Sequence, residues 1–183
     1  KPQPISVILV EDDEALGSAV AQALQLEGME VALFGAADAA LDALPDDYPG
    51  VVVSDVRLPG MDGLAFFAEL QQRDSDLPVI FTTGHGDVTM AVAAMKDGAA
   101  DFLTKPYSSA GLIRAITAAA ERRRLVLENR RLREALAQQG QGKFIGSSTF
   151  AERLRGTIAA VARAGVDVVV EGAAGTGKTF TAR

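Results

Sequence analysis

Five short apolar runs recur up to about residue 106: Ile5–Val10, Met29–Phe34, Val51–Asp55, Val79–Thr83 and Ala99–Leu103. None alternates cleanly between apolar and polar residues, so each predicts a strand covered on both faces. Between and after them lie stretches of 3.6-residue periodicity, which predict helices at about Glu14–Glu27, Ala36–Leu44, Leu64–Arg73, Val88–Asp97 and from Ala110 onward. Strands separated by helices pair in parallel through crossovers, so the chain is constrained to an α/β doubly wound sheet with helices on both sides. Gly28, Gly98, Pro45, Pro49, Pro59 and Pro78 fall at the ends of these elements, where glycine and proline stop or turn the chain.

The fifth predicted helix does not stop where such a domain closes. From Leu112 to about Gln138 there is no Gly or Pro, and Ala, Leu, Glu and Arg dominate. With Ala118, Leu125 and Leu132 at d, the a positions are Ala115, Arg122, Asn129 and Leu136, a three-heptad seam predicting a parallel homodimer. Gln138-Gln139-Gly140-Gln141-Gly142 then reads as a flexible joint. An amphipathic helix at about Phe150–Arg163, an apolar strand at Val166–Glu171 and a glycine-rich turn follow. In 183 residues this gives three regions: a sheet domain over 1–120, a coiled helix and joint over 121–142, and the start of a second domain over 143–183.

Composition excludes several roles for the segment. A net charge of −6 is a poor match for a phosphate backbone, so any DNA reader is expected outside this chain. Cysteine is absent, which removes disulfides and thiolate metal sites and fits a reducing cytoplasm. No apolar run approaches the roughly 20 residues of a membrane helix. Lys1-Pro2-Gln3-Pro4 leads straight into a strand without a signal-like apolar stretch, so the expectation is a cytoplasmic protein with no membrane partner.

In an open parallel sheet, functional groups gather at the carboxyl ends of the strands. Here the first strand ends in Glu11-Asp12-Asp13, the third in Asp55 and the fourth in Thr82-Thr83, while the fifth leads into Lys105-Pro106. Carboxylates brought together there repel one another, so either one stays protonated or a cation sits among them. An oxygen-only cluster with room for water points to Mg²⁺. A carboxylate beside Mg²⁺ and an ammonium can act as nucleophile toward a phosphoryl group and form an acyl phosphate. Asp55 is the candidate nucleophile, Lys105 and the metal would neutralise the phosphoryl oxygens, and the Thr83 hydroxyl would donate to one of them.

Glu11-Asp12, Asp55, Met61-Asp62-Gly63, Thr83-Gly84 and Lys105-Pro106 together resemble a two-component response-regulator receiver over residues 5 to about 120. The resemblance implies a (βα)5 flavodoxin-like fold, phosphorylated on Asp55 by a sensor histidine kinase or a small phosphodonor and serving as a signalling switch. It implies Asp12 as direct Mg²⁺ ligand with Glu11 beside it, Asp13 in a lesser place, and the backbone carbonyl of Arg57 as a further ligand. It also implies a cis peptide at Lys105-Pro106, and a switch pair of Thr83 and Phe102, the latter without a tyrosine hydroxyl. Thr83-Gly84-His85-Gly86-Asp87 is similar to regulators of C4-dicarboxylate transport, and His85 reads as a loop residue.

Gly172-Ala173-Ala174-Gly175-Thr176-Gly177-Lys178-Thr179 fits the P-loop pattern between a predicted strand and helix. Backbone N–H groups around Gly172, Gly175 and Gly177 would wrap phosphates, Lys178 would reach the β and γ oxygens, and Thr179 would hold Mg²⁺. With Phe144-Ile145-Gly146-Ser147-Ser148 before it, the segment resembles the start of the AAA+ domain of sigma-54-dependent, NtrC-type activators, although Ala173 and Thr179 stand where that family usually has glutamate. Binding of ATP-Mg is expected in the full-length protein only, with sigma-54 RNA polymerase and DNA contacted by domains absent from this chain. The competing reading is an aspartate-nucleophile phosphohydrolase on a similar sheet. Such enzymes need a second acid two residues on to protonate the leaving group, and Arg57 cannot serve.

Overall fold

The computed structural model describes residues 4–84, 93–141, 148–164, 169 and 171. Its contacts divide the chain into two units, 1–129 and 130–183. The first unit is built on five strands, β1 (Ser6–Val10), β2 (Glu30–Phe34), β3 (Val51–Asp55), β4 (Val79–Thr83) and β5 (Asp101–Thr104). They form one sheet in the order β2-β1-β3-β4-β5, with every neighbouring pair parallel. The predicted strand spans agree with these to within two residues at each end.

Period-two alternation along the strands sends side chains to two separate cores. Ile8, Val10, Val52 and Phe81 face one way, against α2 (Ala37–Ala43) and α3 (Gly63–Arg73) through Ala40, Leu41, Phe66, Phe67 and Leu70. Val7, Leu9, Val51, Val53 and Ile80 face the other way, toward Ala21 and Leu24 of α1 (Glu14–Leu26) and Leu112, Ile116 and Ala119 of α4 (Ser109–Gln141). β3 and β4 are buried along their whole length, as their continuous apolar runs demand. β2 departs from that expectation. Glu30, Ala32 and Leu33 are exposed, because β2 is an edge strand with a neighbour on one side only.

Local capping explains where the helices begin. Asp13 accepts from the Leu16 N–H at 3.0 Å and opens α1. Asp62 accepts from the Ala65 N–H at 2.7 Å and opens α3. Asp13, the third acid of the first strand end, is therefore occupied as a helix cap. Residues 93–96 are helical, within the span predicted for the fourth helix, and the earlier part of that span lies outside the described residues.

α4 buries a stripe of Leu112, Ile116, Ala119, Arg123 and Leu127 on the sheet domain, at spacings of three and four residues. On its exposed surface lie Ala118, Arg122, Leu125 and Asn129, positions of the predicted seam. Ala115, the first a position of that seam, instead packs against the domain's own core. The helix also continues through the predicted joint, across Gly140 to Gln141. One glycine costs about 1 kcal/mol in a helix interior, and glutamines on either side are good helix formers, so the expected break is not enforced.

In the second unit, α5 (Thr149–Ala164) falls where the amphipathic helix was predicted. Of the strand predicted at 166–171 only Val169 and Glu171 are described, neither of them in a strand, and the glycine-rich turn after it lies outside the described residues. Among the described residues, no helix is long and apolar enough to cross a membrane.

Candidate functional site

Chain order places β1 and β3 side by side while β2 lies beyond β1, so the direction of winding reverses between them and opens a crevice at their carboxyl ends. Into it come Glu11 and Asp12 from the end of β1 and Asp55 from the end of β3. One carboxylate oxygen from each of the three lies within 4.8 Å of the others. Glu11 is pinned by its N–H donating to the Phe34 carbonyl of β2 at 3.0 Å. Asp55 is oriented by the Arg57 N–H, which donates to its Oδ1 at 2.9 Å. Arg57 thus enters the site through its backbone.

Lys105 crosses the cluster. Its Nζ donates to Glu11 Oε2 at 2.6 Å and to Asp55 Oδ2 at 2.5 Å. The lysine backbone is fixed as well, since its N–H donates to the Thr83 carbonyl at 2.7 Å, and the peptide to Pro106 is cis, as expected. Burial on its own would lower the pKa of the ammonium, but hydrogen bonds to Asp55 and Glu11, with the charges of both, outweigh it and hold it above the ordinary lysine value. Burial raises the carboxyl of Glu11 above its ordinary value; Lys105 opposes this, and the Asp55 charge adds to it. A single ammonium shared with Asp55 does not fully offset the burial of Glu11.

Three carboxylates with an exposed Asp12 and, among the described residues, no nitrogen or sulfur donor in the group make a donor set that fits Mg²⁺, a hard ion that keeps several waters. If Asp12 is a ligand and Asp13 only a cap, the two neighbours separate in a titration. Asp12→Asn is expected to weaken Mg²⁺ binding at least ~10-fold by removing one charged oxygen donor. Asp13→Asn, which caps a helix as well as aspartate does, should leave it within about twofold. Isothermal titration calorimetry of both variants checks this, and equal losses would remove Asp12 from the ligand set.

Thr83 ends β4, 2% exposed, beside Thr104 of β5. Phe102 is partly buried against the core, its ring centroid 6.4 Å from that of Phe81. Thr83 therefore stands on the strand next to the acceptor strand, and Phe102 on the edge strand beyond it. Two features of the site were not anticipated. Tyr107 is half-buried beside Lys105; burial pushes its phenol up, Lys105 opposes the shift, and Glu11 and Asp55 add to it. Gly63 packs against the backbone carbonyl of Asp55, and its N–H donates to the Val56 carbonyl at 3.0 Å. The signal for Gly63 was present, as the glycine after the α3 cap. Gly172, Gly175, Gly177, Lys178 and Thr179 lie outside the described residues, as does His85.

A parallel sheet of this strand order, with an acid triad at its switch point and a lysine laid across it, defines a phosphorylation-dependent signalling module. The family model described as response regulator receiver domain matches residues 7–117, and the chain belongs to that family. It is 47% identical to the C4-dicarboxylate transport transcriptional regulatory protein DctD of Rhizobium meliloti over 97% of this chain and 39% of that protein. Against DctD of Pseudomonas aeruginosa the identity is 48%, over 97% of this chain and 39% of that protein. Among solved structures, the crystal structure of FixJ-N is 40% identical with a TM-score of 0.61, covering 66% of this chain and 96% of that one. The chain spans about two fifths of the length of the DctD proteins it matches.

Proposed function

We propose that Asp55 accepts a phosphoryl group from the phosphohistidine of a sensor kinase, or from a small acyl phosphate, and that the product controls a transcriptional activator. An Asp55 carboxylate oxygen attacks phosphorus as the bond to the donor breaks, and the donor leaves with the electron pair and takes up a proton. Mg²⁺ on Asp12 and Asp55, with Glu11 beside it and the Arg57 carbonyl completing the protein ligands, would draw the phosphoryl oxygens in. Lys105 would neutralise the charge that they carry, the main service a protein can offer a loose phosphoryl-transfer transition state. The Thr83 hydroxyl would then bond the bound phosphoryl group, and Phe102 would turn inward behind it. The observation that carries this reading is Lys105 Nζ held by both Asp55 and Glu11 at the sheet's switch point.

The output is proposed to pass through a homodimer formed by the exposed face of α4 and the receiver face. Support comes from exposed Leu125, Leu132 and Leu136, which recur on the heptad positions. Beyond it, the P-loop pattern at Gly172–Thr179, with Lys178, and the likeness to DctD support an AAA+ ATPase that works on sigma-54 RNA polymerase at DNA, in a protein that continues past this chain. The dimer proposal has a direct check. Beryllium fluoride with Mg²⁺ should change the small-angle scattering profile of the chain in a concentration-independent way, whereas superimposable profiles would sink coupling between phosphorylation and dimer geometry.

A further inference from the structure

The buried stripe of α4 contains one charge. Arg123 has a side chain 0% exposed, between Ala119 and Leu127 on the face turned to the sheet domain. Its Nε donates to the Tyr48 carbonyl at 2.9 Å, and its Nη2 pairs with Asp74 Oδ2 at 2.6 Å. Tyr48 lies in the loop before β3, and Asp74 follows α3 before β4. Both therefore sit at the amino ends of the strands, across the sheet from Asp55.

An apolar residue would fill this place more cheaply, because taking a guanidinium out of water is costly and Arg123 Nη1 is left buried with no hydrogen-bond partner among the described residues. A leucine, however, slides and rotates. The guanidinium fork bonds two points on two different loops and admits one rotation of the helix about its axis. That rotation decides where the opposite face points. Leu125, 52% exposed, follows Arg123 by two residues, about 200° around the helix.

We propose that Arg123 is a positioning residue that clasps α4 to the receiver and sets the azimuth of its exposed leucine face. In the dimer proposed above, on which this consequence rests, each receiver is then carried on the outer side of the helix pair in one fixed orientation. The fork also makes the receiver and the helix as far as Leu127 move as one body.

The test uses spin labels on Asp42→Cys, exposed on α2, and Glu128→Cys, one residue past the buried stripe, in a 183-residue chain that has no other cysteine. Labelled chains are diluted with unlabelled ones so that only distances within a chain are read. The arginine chain should give one narrow distance distribution. Arg123→Leu, which keeps the packing and loses the fork, should broaden it at least about twofold, and Arg123→Lys, which keeps the charge without the fork, should broaden it as well. Both should still melt cooperatively. An unchanged narrow distribution in Arg123→Leu overturns the clasp, since apolar packing then suffices. If neither variant folds, Arg123 is a residue of the fold and the proposal also fails. Separately, Leu125→Cys should form a disulfide between two copies of the otherwise unaltered chain. Its failure to do so overturns the outward placement of the receivers and the dimer reading together, whereas the spin-label distances decide the clasp independently.

Discussion

Asp55→Asn is expected to abolish uptake of phosphoryl from acetyl phosphate and Mg²⁺, with the mass increment of an acyl phosphate falling at least ~10³-fold, because an amide oxygen is not a nucleophile under these conditions. The loss should not come from unfolding. Asparagine keeps the oxygen that the Arg57 N–H bonds at 2.9 Å, and Glu11 still holds the Lys105 ammonium at 2.6 Å. Removing one of three clustered carboxylates also relieves repulsion, so the melting temperature should stay within a few degrees of the parent or rise. Intact-mass spectrometry after incubation, together with a thermal melt, checks both halves. Labelling of the Asp55→Asn chain at the parent's rate would move the acceptor to another acid. Sustained release of inorganic phosphate from a phosphomonoester by the parent chain would instead indicate turnover rather than a switch.

The part of this site that could be read in advance is the part governed by strand ends. Glu11, Asp12, Asp55, Thr83 and Lys105 follow apolar runs, and parallel winding obliges such residues to meet on one edge whatever the helices do. Strand β3 was legible for the same reason. Val51, Val52 and Val53 are 0% exposed and lie mid-sheet, where local propensity and burial agree. β2 has an equally apolar core of Val31, Ala32, Leu33 and Phe34, yet half of it faces solvent. Position within a sheet is a long-range property that a local run does not encode.

Arg123 was illegible for a different reason. It sits in the triplet Arg122-Arg123-Arg124, and charge reads as a solvated face. Only the helical phase set by Ile116, Ala119 and Leu127 marks the middle arginine as inward. Arg124, by contrast, is exposed and pairs with Glu121 and Glu128 along the helix surface, where such bonds contribute little. Close approaches between backbones leave a glycine as their one trace in the sequence, as Gly63 does after the Asp62 cap, and the glycine does not say what it packs against.

Gly63 is the close approach that involves the acceptor residue itself. It opens α3 immediately after the Asp62 cap, and a Cβ built there would overlap the carbonyl oxygen of Asp55 and approach Cα of Val56 to 2.9 Å. Both obstacles are backbone, so no side chain can swing aside; either α3 or the acceptor loop must move. Gly63→Ala is therefore expected to cost about 3 kcal/mol, despite the better helix propensity of alanine. In a domain of this size that lowers the melting temperature by about 10 °C. Gly35→Ala is the matched control, because nothing lies within 4 Å of its added Cβ, and a change within about 0.5 kcal/mol is expected. The displaced carbonyl belongs to the acceptor itself, so the folded fraction of Gly63→Ala should also label more slowly with acetyl phosphate when both chains are compared well below their melting temperatures. Parent-like stability in a denaturant titration would mean that the turn from Val56 to Gly63 can open without cost. The 3.0 Å hydrogen bond from the Gly63 N–H to the Val56 carbonyl, which closes that turn, argues that it cannot.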